Sequence, residues 1–171
     1  DQALLEMDAR MVETLGAAFE KFVFSEQVKM KALSWTLHRL RTRLGDLRGR
    51  TVALLGLAYT PNTDTLRRSA AVELALELLA AGVRVQAFDP VVRQLPSDLA
   101  AIALSPTLAD AITGADAAVV CTEWPEFRAA PWTQLARLLR SPAIVVDANR
   151  FLFEQLKTLP EFEHFFVGGP A

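Results

Sequence analysis

The sequence predicts an α/β fold, a doubly wound and mostly parallel sheet preceded by a long helical segment. Three observations predict it. From Thr51 onward, short apolar runs alternate with stretches of helical pattern. Those runs are continuously apolar, as in strands buried on both faces of a parallel sheet, and do not alternate between apolar and polar. Before Leu47, apolar residues recur only at helical spacing.

Taken in order, Leu4, Met11, Leu15, Phe19 and Phe22 form the first helical stripe, with Val12 and Val23 beside it. Ser25 is placed to cap a second stretch, in which Val28, Leu33, Leu37, Leu40 and Leu44 continue a buried face. Lys29, Lys31, Arg39, Arg41 and Arg43 decorate the opposite side, read as a solvated face. Gly45 and Gly49 end the helical pattern, so residues 1–48 are read as a helical segment and residues 51–171 as a domain. Within that domain Thr51–Leu57 is a strand, and Ala70–Ala81 a helix that stops at Gly82. Val83–Phe88 is the next strand, closed by Asp89-Pro90, followed by a short strand over Ala101–Leu104 and a brief helix over Thr107–Ile112. Ala117–Cys121 is a buried strand. A helix over Trp132–Arg140 leads to the strand Ala143–Asp147, a helix over Phe151–Thr158 and a closing edge strand at His164–Val167.

Composition bounds the function. At 171 residues, 51% hydrophobic and 22% charged, the chain is able to bury a sizeable core. A net charge of −2 offers no electrostatic ground for binding nucleic acid or an anionic membrane. No apolar run reaches the roughly 18 residues of a membrane-spanning helix. One cysteine cannot form an internal disulfide, which makes a reducing cytoplasm the expected compartment. A start at Asp1 without methionine reads as a piece of something larger.

In open parallel sheets ligands bind outside the carboxyl ends of the strands, which singles out the loops starting at Gly56, Asp89, Thr122 and Ala148. The first, from Gly56 to Ser69, reads GLAYTPNTDTLRRS. It has one glycine where a dinucleotide fingerprint needs several, and a polar loop in place of the tight turn. Arg67 and Arg68 suit phosphate oxygens, and Tyr59 a base or sugar face. The plainer reading pairs those arginines with Asp64 or Glu73. Asp89 stands where a ribose-binding acid belongs, although Asp-Pro is also a common turn, and the turn is favoured. Trp124 is either an exposed ring surface or a core residue covering the sheet end. Asp147, Asn149 and Arg150 bring three polar side chains to the same edge. Cys121 reads as a small buried residue. His38 and His164 lack metal-ligand company, and Glu73 and Glu77 are expected to face water.

Gly56-Leu57-Ala58-Tyr59, Asn62-Thr63-Asp64, Arg67 to Ser69, Phe88-Asp89-Pro90, Ala115-Asp116-Ala117, Thr122-Glu123-Trp124 and Val146 to Arg150 follow one another in order. Together they resemble the carboxyl-terminal, UDP-binding domain of the UDP-glucose/GDP-mannose dehydrogenase family, the UDP-glucose branch most closely. The resemblance covers about Thr51 to Val167. It implies a Rossmann-like domain that binds a UDP-sugar, with the preceding helix as the end of a central dimerisation region and a homodimer through it. Family members oxidise the sugar 6-hydroxyl to a carboxylate in two NAD-dependent steps. Their first domain binds NAD, and their central part supplies a nucleophilic cysteine. Neither the NAD fingerprint nor the cysteine segment occurs here, so the resemblance implies a non-catalytic fragment of an oxidoreductase of polysaccharide biosynthesis.

Residue by residue, it places Tyr59 and Thr60, and Asn149 and Arg150, at the nucleotide sugar, and sends Arg67 across to NAD. Three positions depart from the family pattern: Thr60 replaces a lysine, Thr65 an acid, and Asn149 an arginine, with Arg150 one place later. A second reading follows from those departures, a non-catalytic dimerisation module that keeps the fold without the ligand. A self-contained NAD-binding domain is the third reading, disfavoured by the missing glycines.

Overall fold

The structure is a computed structural model that describes residues 31–169. The stripe from Leu4 to Val23, the Ser25 cap, and Val28 and Lys29 lie outside the described residues. The chain divides into two compact units, Asp1–Ser34 and Trp35–Ala171. The features below belong to the second.

Six strands form one sheet: β1 (Thr51–Leu55), β2 (Arg84–Phe88), β3 (Ala103–Leu104), β4 (Ala117–Val120), β5 (Ala143–Val146) and β6 (Phe162–Phe165). Their order is β3-β2-β1-β4-β5-β6, and every pairing is parallel. The chain builds outward from β1 on one side, then returns to the other side at β4. That reversal is the topological switch of a doubly wound, Rossmann-like sheet. All five residues of β1 and all four of β5 are buried. Successive side chains point to opposite faces. Ala53, Leu55, Ala118 and Val145 therefore join a cluster with Phe127, Trp132, Leu135 and Leu152, and the alternating Val52, Leu54 and Ile144 are equally sealed. This is why the strands read as unbroken apolar runs.

The helices are α1 (described over residues 31–44, of which 35–44 fall in this unit), α2 (Ala70–Ala80), α3 (Leu108–Ile112), α4 (Pro125–Arg128), α5 (Trp132–Leu135) and α6 (Phe153–Leu156). In α2 the buried residues Ala71, Leu74, Ala75 and Leu78 follow helical spacing. Leu74 and Leu78 each contribute about 1.5–3 kcal/mol by leaving water. The exposed face carries Glu73 and Glu77, as expected. The helix stops where Gly82, at φ +79°, adopts a conformation that side chains disfavour.

Several boundaries differ from the periodicity. α5 ends at Leu135, because residues 136–138 form turns, and α6 covers only Phe153–Leu156. The closing strand starts two residues earlier than predicted: Phe162 pairs with Ala143 and Phe165 with Val146. Phe162 is buried and meets Trp132 edge-on at 5.9 Å, which anchors that register. α4 went unread, although Pro125 at its first position is a start signal. The basic side of α1 is also more than a solvated face. Arg39 stacks over Trp35 and Phe165 at 5.5 and 5.9 Å, and the Arg43 guanidinium forks onto the Glu163 carboxylate.

Candidate functional site

Parallel strands bring the loops after β1, β2, β4 and β5 to one rim. Their backbones are locked there by buried side chains. Asp89, 1% exposed, is the hub. Its Oδ2 accepts the backbone N–H groups of Leu57 (2.8 Å) and Ala58 (2.9 Å) and the Trp124 indole N–H (3.2 Å). Its Oδ1 accepts from Val91 (2.9 Å) and Val92 (3.0 Å). Burial by itself would raise the Asp89 pKa, but hydrogen bonds from the N–H groups of Ala58, Val92, Leu57 and Val91 outweigh it and hold the carboxyl below its ordinary value. Asp89 is thus a turn and loop anchor, as the Asp-Pro reading favoured. Trp124, 2% exposed, is a core residue.

Gly56 has φ +90°, and a Cβ there would lie 2.5 Å from Thr122 Cβ. Its lack of a side chain lets the β1 and β4 loops touch, and the Thr122 hydroxyl donates to the Ala58 carbonyl at 2.6 Å. Ser69 ties the far end of the loop. Its hydroxyl donates to the Leu57 carbonyl at 2.6 Å and accepts from the Ala71 N–H at 3.2 Å, capping α2. S69A is expected to cost about 1–2 kcal/mol, read as a lower midpoint in urea; an unchanged midpoint would remove this anchor. Between these ends the Tyr59 N–H donates to the Thr65 carbonyl at 2.8 Å, and Thr63 Oγ1 to the Thr60 carbonyl at 3.0 Å.

The relay continues across the rim. Asn149 Nδ2 donates to Glu123 Oε1 at 2.8 Å, joining the β5 loop to the β4 loop. Asp147, 1% exposed, accepts from the N–H groups of Phe151 (3.0 Å) and Leu152 (2.7 Å) and faces His164 Nε2 at 3.4 Å. Asp147 is therefore an internal anchor and does not present its carboxylate at the edge.

Tyr59, Thr60, Arg67, Asn149 and Arg150 are all exposed at this carboxyl end. The Arg150 guanidinium stacks on Phe153 at 4.5 Å and on Phe166 at 4.8 Å, which orients it. Arg68 and Arg150 both have positive φ, 60° and 62°. For a non-glycine residue that costs about 1–2 kcal/mol, and such strain concentrates at functional loops. The Arg67 side chain has no acidic partner among the described residues, so the expected alternative, pairing with Asp64 or Glu73, does not describe it. Phe153 and Phe166 were not legible as site neighbours, because nothing in their spacing marks them, and Glu123, although part of the Thr122 loop, gave no sign of its tie to Asn149. Cys121 is half-buried, and burial pushes its thiol up to about 12, an inert state. The described residues contain no cluster of potential metal ligands, and none of their helices is long and apolar enough to cross a membrane.

The amides that would meet a dinucleotide pyrophosphate are already committed: Leu57 and Ala58 to Asp89, and Ala71 to Ser69. The β1 loop therefore does not fit an independent NAD site. What the rim offers a ligand is side chains on a rigid frame.

Residues 53–154 match the UDP-glucose/GDP-mannose dehydrogenase family, UDP binding domain. The UDP-glucose 6-dehydrogenase YwqF of Bacillus subtilis is 31% identical over 134 residues, 75% of this chain and 30% of that protein. The UDP-glucose 6-dehydrogenase of Pseudomonas aeruginosa is 40% identical over 116 residues, 63% of this chain and 25% of its own length. The fold also matches a UDP-glucose dehydrogenase from Pyrobaculum islandicum, with TM-score 0.58 and 29% identity over 71% of this chain and 27% of that one. A UDP-D-ManNAc dehydrogenase from Pyrococcus horikoshii matches with TM-score 0.65 and 25% identity over 84% and 31%. The chain thus spans about a third or less of the proteins it matches. With the strand order, the anchored β1 loop and these matches in agreement, the chain belongs to the UDP binding domain of the UDP-glucose/GDP-mannose dehydrogenase family.

Proposed function

We propose that the carboxyl rim binds a UDP-sugar, and that the chain is the nucleotide-sugar half of an NAD-dependent nucleotide-sugar 6-dehydrogenase. The observation that carries this is the strained, aromatic-stacked Arg150 on the same hydrogen-bonded rim as Tyr59. In this reading Arg150 meets the diphosphate, Tyr59 lies against a ring of the ligand, and Thr60 and Asn149 supply neutral hydrogen bonds where the resemblance implies cations. Arg67, unpaired with any acid among the described residues, reaches towards NAD held by another domain. When bound, NAD supplies the hydride acceptor; this chain's part is to hold and orient the sugar nucleotide. Residues 1–48 serve as a dimerisation segment, and the whole enzyme works in the cytoplasm.

The test uses a ligand that binds only the folded state. At 100 times Kd, UDP-glucose stabilises by about 2.7 kcal/mol, equivalent to a Tm rise of roughly 5–10 °C for a chain of this size. R150G separates binding from folding. It loses two ring contacts worth about 0.5–1 kcal/mol each but relieves a positive φ of similar cost. Its Tm without ligand is expected to stay near that of the parent, while the ligand-induced rise largely disappears. No rise with millimolar UDP-glucose, UDP or a GDP-sugar in the parent chain overturns the proposal.

A second reading, a dimerisation module without ligand, draws on Thr60 and on Asn149, whose amide is already bonded to Glu123. Light scattering that shows a tight dimer, together with no nucleotide affinity, would select it.

A further inference from the structure

The amino-terminal end of the sheet, opposite the rim, carries a second charged feature. Strands β1, β4 and β5 start side by side, so the residues just before them, Arg50, Asp116 and Arg140 to Pro142, meet at one place. The last turn of α1 adds Arg43 and Leu44, and together they line a cavity of about 270 Å³. Asp116, 5% exposed, accepts the Thr51 N–H at 2.8 Å, Arg50 Nη1 at 3.2 Å and Arg140 Nη1 at 3.0 Å. Arg50 Nη2 donates to the Leu44 carbonyl at 3.2 Å, and Arg43 is forked onto Glu163.

The charges do not balance. Arg43, Arg50 and Arg140 face Asp116 and Glu163, which leaves one cation in excess. Arg84, whose Nε donates to Thr51 Oγ1 at 3.2 Å, adds another at the same end. The chain as a whole carries −2, so this excess is placed and does not follow from composition. A buried carboxylate that already holds a backbone N–H needs one guanidinium to be neutralised; Asp116 has two. Each guanidinium offers five N–H donors. Among the described residues Arg140 uses one and Arg50 two, so both keep donors for a guest at the cavity. Planar guanidinium forks match phosphate oxygens. Asp116 does not oppose an anion there, because two cations already screen its charge.

We propose that this cavity binds a small phosphate-type oxyanion, independently of the nucleotide at the rim. The two places are separated by the length of the strands, about 17 Å for five residues.

The test is an amide NMR titration of the full chain with sodium phosphate against sodium chloride at matched ionic strength. Saturable shifts are expected at Thr51 and Ser141, with Gly56 and Tyr59 unmoved. R140Q is expected to raise Kd at least about tenfold, the loss of one charge-assisted hydrogen bond. Should R140Q perturb the fold, as its spectrum would show, R43Q removes a lining cation whose partner, Glu163, is only partly buried. Running glucose 1-phosphate alongside separates free phosphate from a phosphoryl group carried on a metabolite. UDP-glucose alone is expected to shift Gly56 and Tyr59 without Ser141, so this proposal and the rim proposal fail on different amides. Shifts that do not saturate, that chloride reproduces, that centre on the rim, or that survive in the folded arginine variant all overturn it.

Discussion

Replacing Gly56 by alanine is expected to lower stability by roughly 2–5 kcal/mol, the sum of a disfavoured positive φ and an overpacked contact. The backbone at φ +90° tolerates a side chain poorly. The new methyl would also sit 2.5 Å from Thr122 Cβ and 2.9 Å from both Thr122 N and Oγ1. All three atoms belong to Thr122, a short β-branched residue with no flexible far end to give way. The only relief is to part the β1 and β4 loops, and that breaks the Thr122 hydrogen bond to Ala58. Urea unfolding measures the loss directly, and the same sample is expected to lose any UDP-glucose response, because Tyr59 and Thr60 follow the displaced segment. A loss below about 1 kcal/mol would mean that the crevice at the switch point opens easily, against the close packing usual of protein interiors.

The second large effect is expected for D89A. It strands three buried backbone N–H groups, the part-buried N–H of Val91 and one buried indole N–H. Removing one partner from a buried, charge-assisted network costs roughly 3–5 kcal/mol, on the order of 10 °C in Tm. D89N keeps the shape but turns an NH2 towards donors, so it is expected to recover only part of the loss. The pH dependence has a definite sign. The folded carboxyl titrates below its ordinary value of 3.8. Its contribution is therefore complete above the unfolded value and is lost as pH falls through the lower, folded one. In wild type, stability is expected to fall steeply below about pH 4, and the part of that fall owed to this group is expected to vanish in D89A. Parallel pH profiles for the two proteins would show that Asp89 is not the anchor described.

The site was less legible than the sheet, for a physical reason. Parallel strands buried on both faces write themselves as apolar runs, so β2, β4 and β5 are found within one residue of their predicted ends, and β1 stops two residues before its own. The short crossovers after β4 and β5 carry weak signals, since helices of four residues have too few positions to show a period. The loop from Gly56 to Ser69 was visible as a place for function, yet its internal ties were not. Asp89 reads first as a turn and second as a ribose acid, because one carboxylate serves both. Its partners, 31 and 32 residues earlier in the chain and 35 later, had to be brought to it.

By itself the sequence determined the parallel sheet and the rim where its loops gather, since burial pattern and local turn chemistry depend only on residue order, while the family came from the resemblance of its ordered motifs. Tertiary structure alone decided which polar side chains are spent inside and which stay exposed at the rim. Asp89, Asp147 and Ser69 are consumed by backbone donors and acceptors, while Tyr59, Arg67 and Arg150 stay at the surface. That division is set by hydrogen-bond geometry between segments far apart in the chain, and spacing along the chain does not encode it.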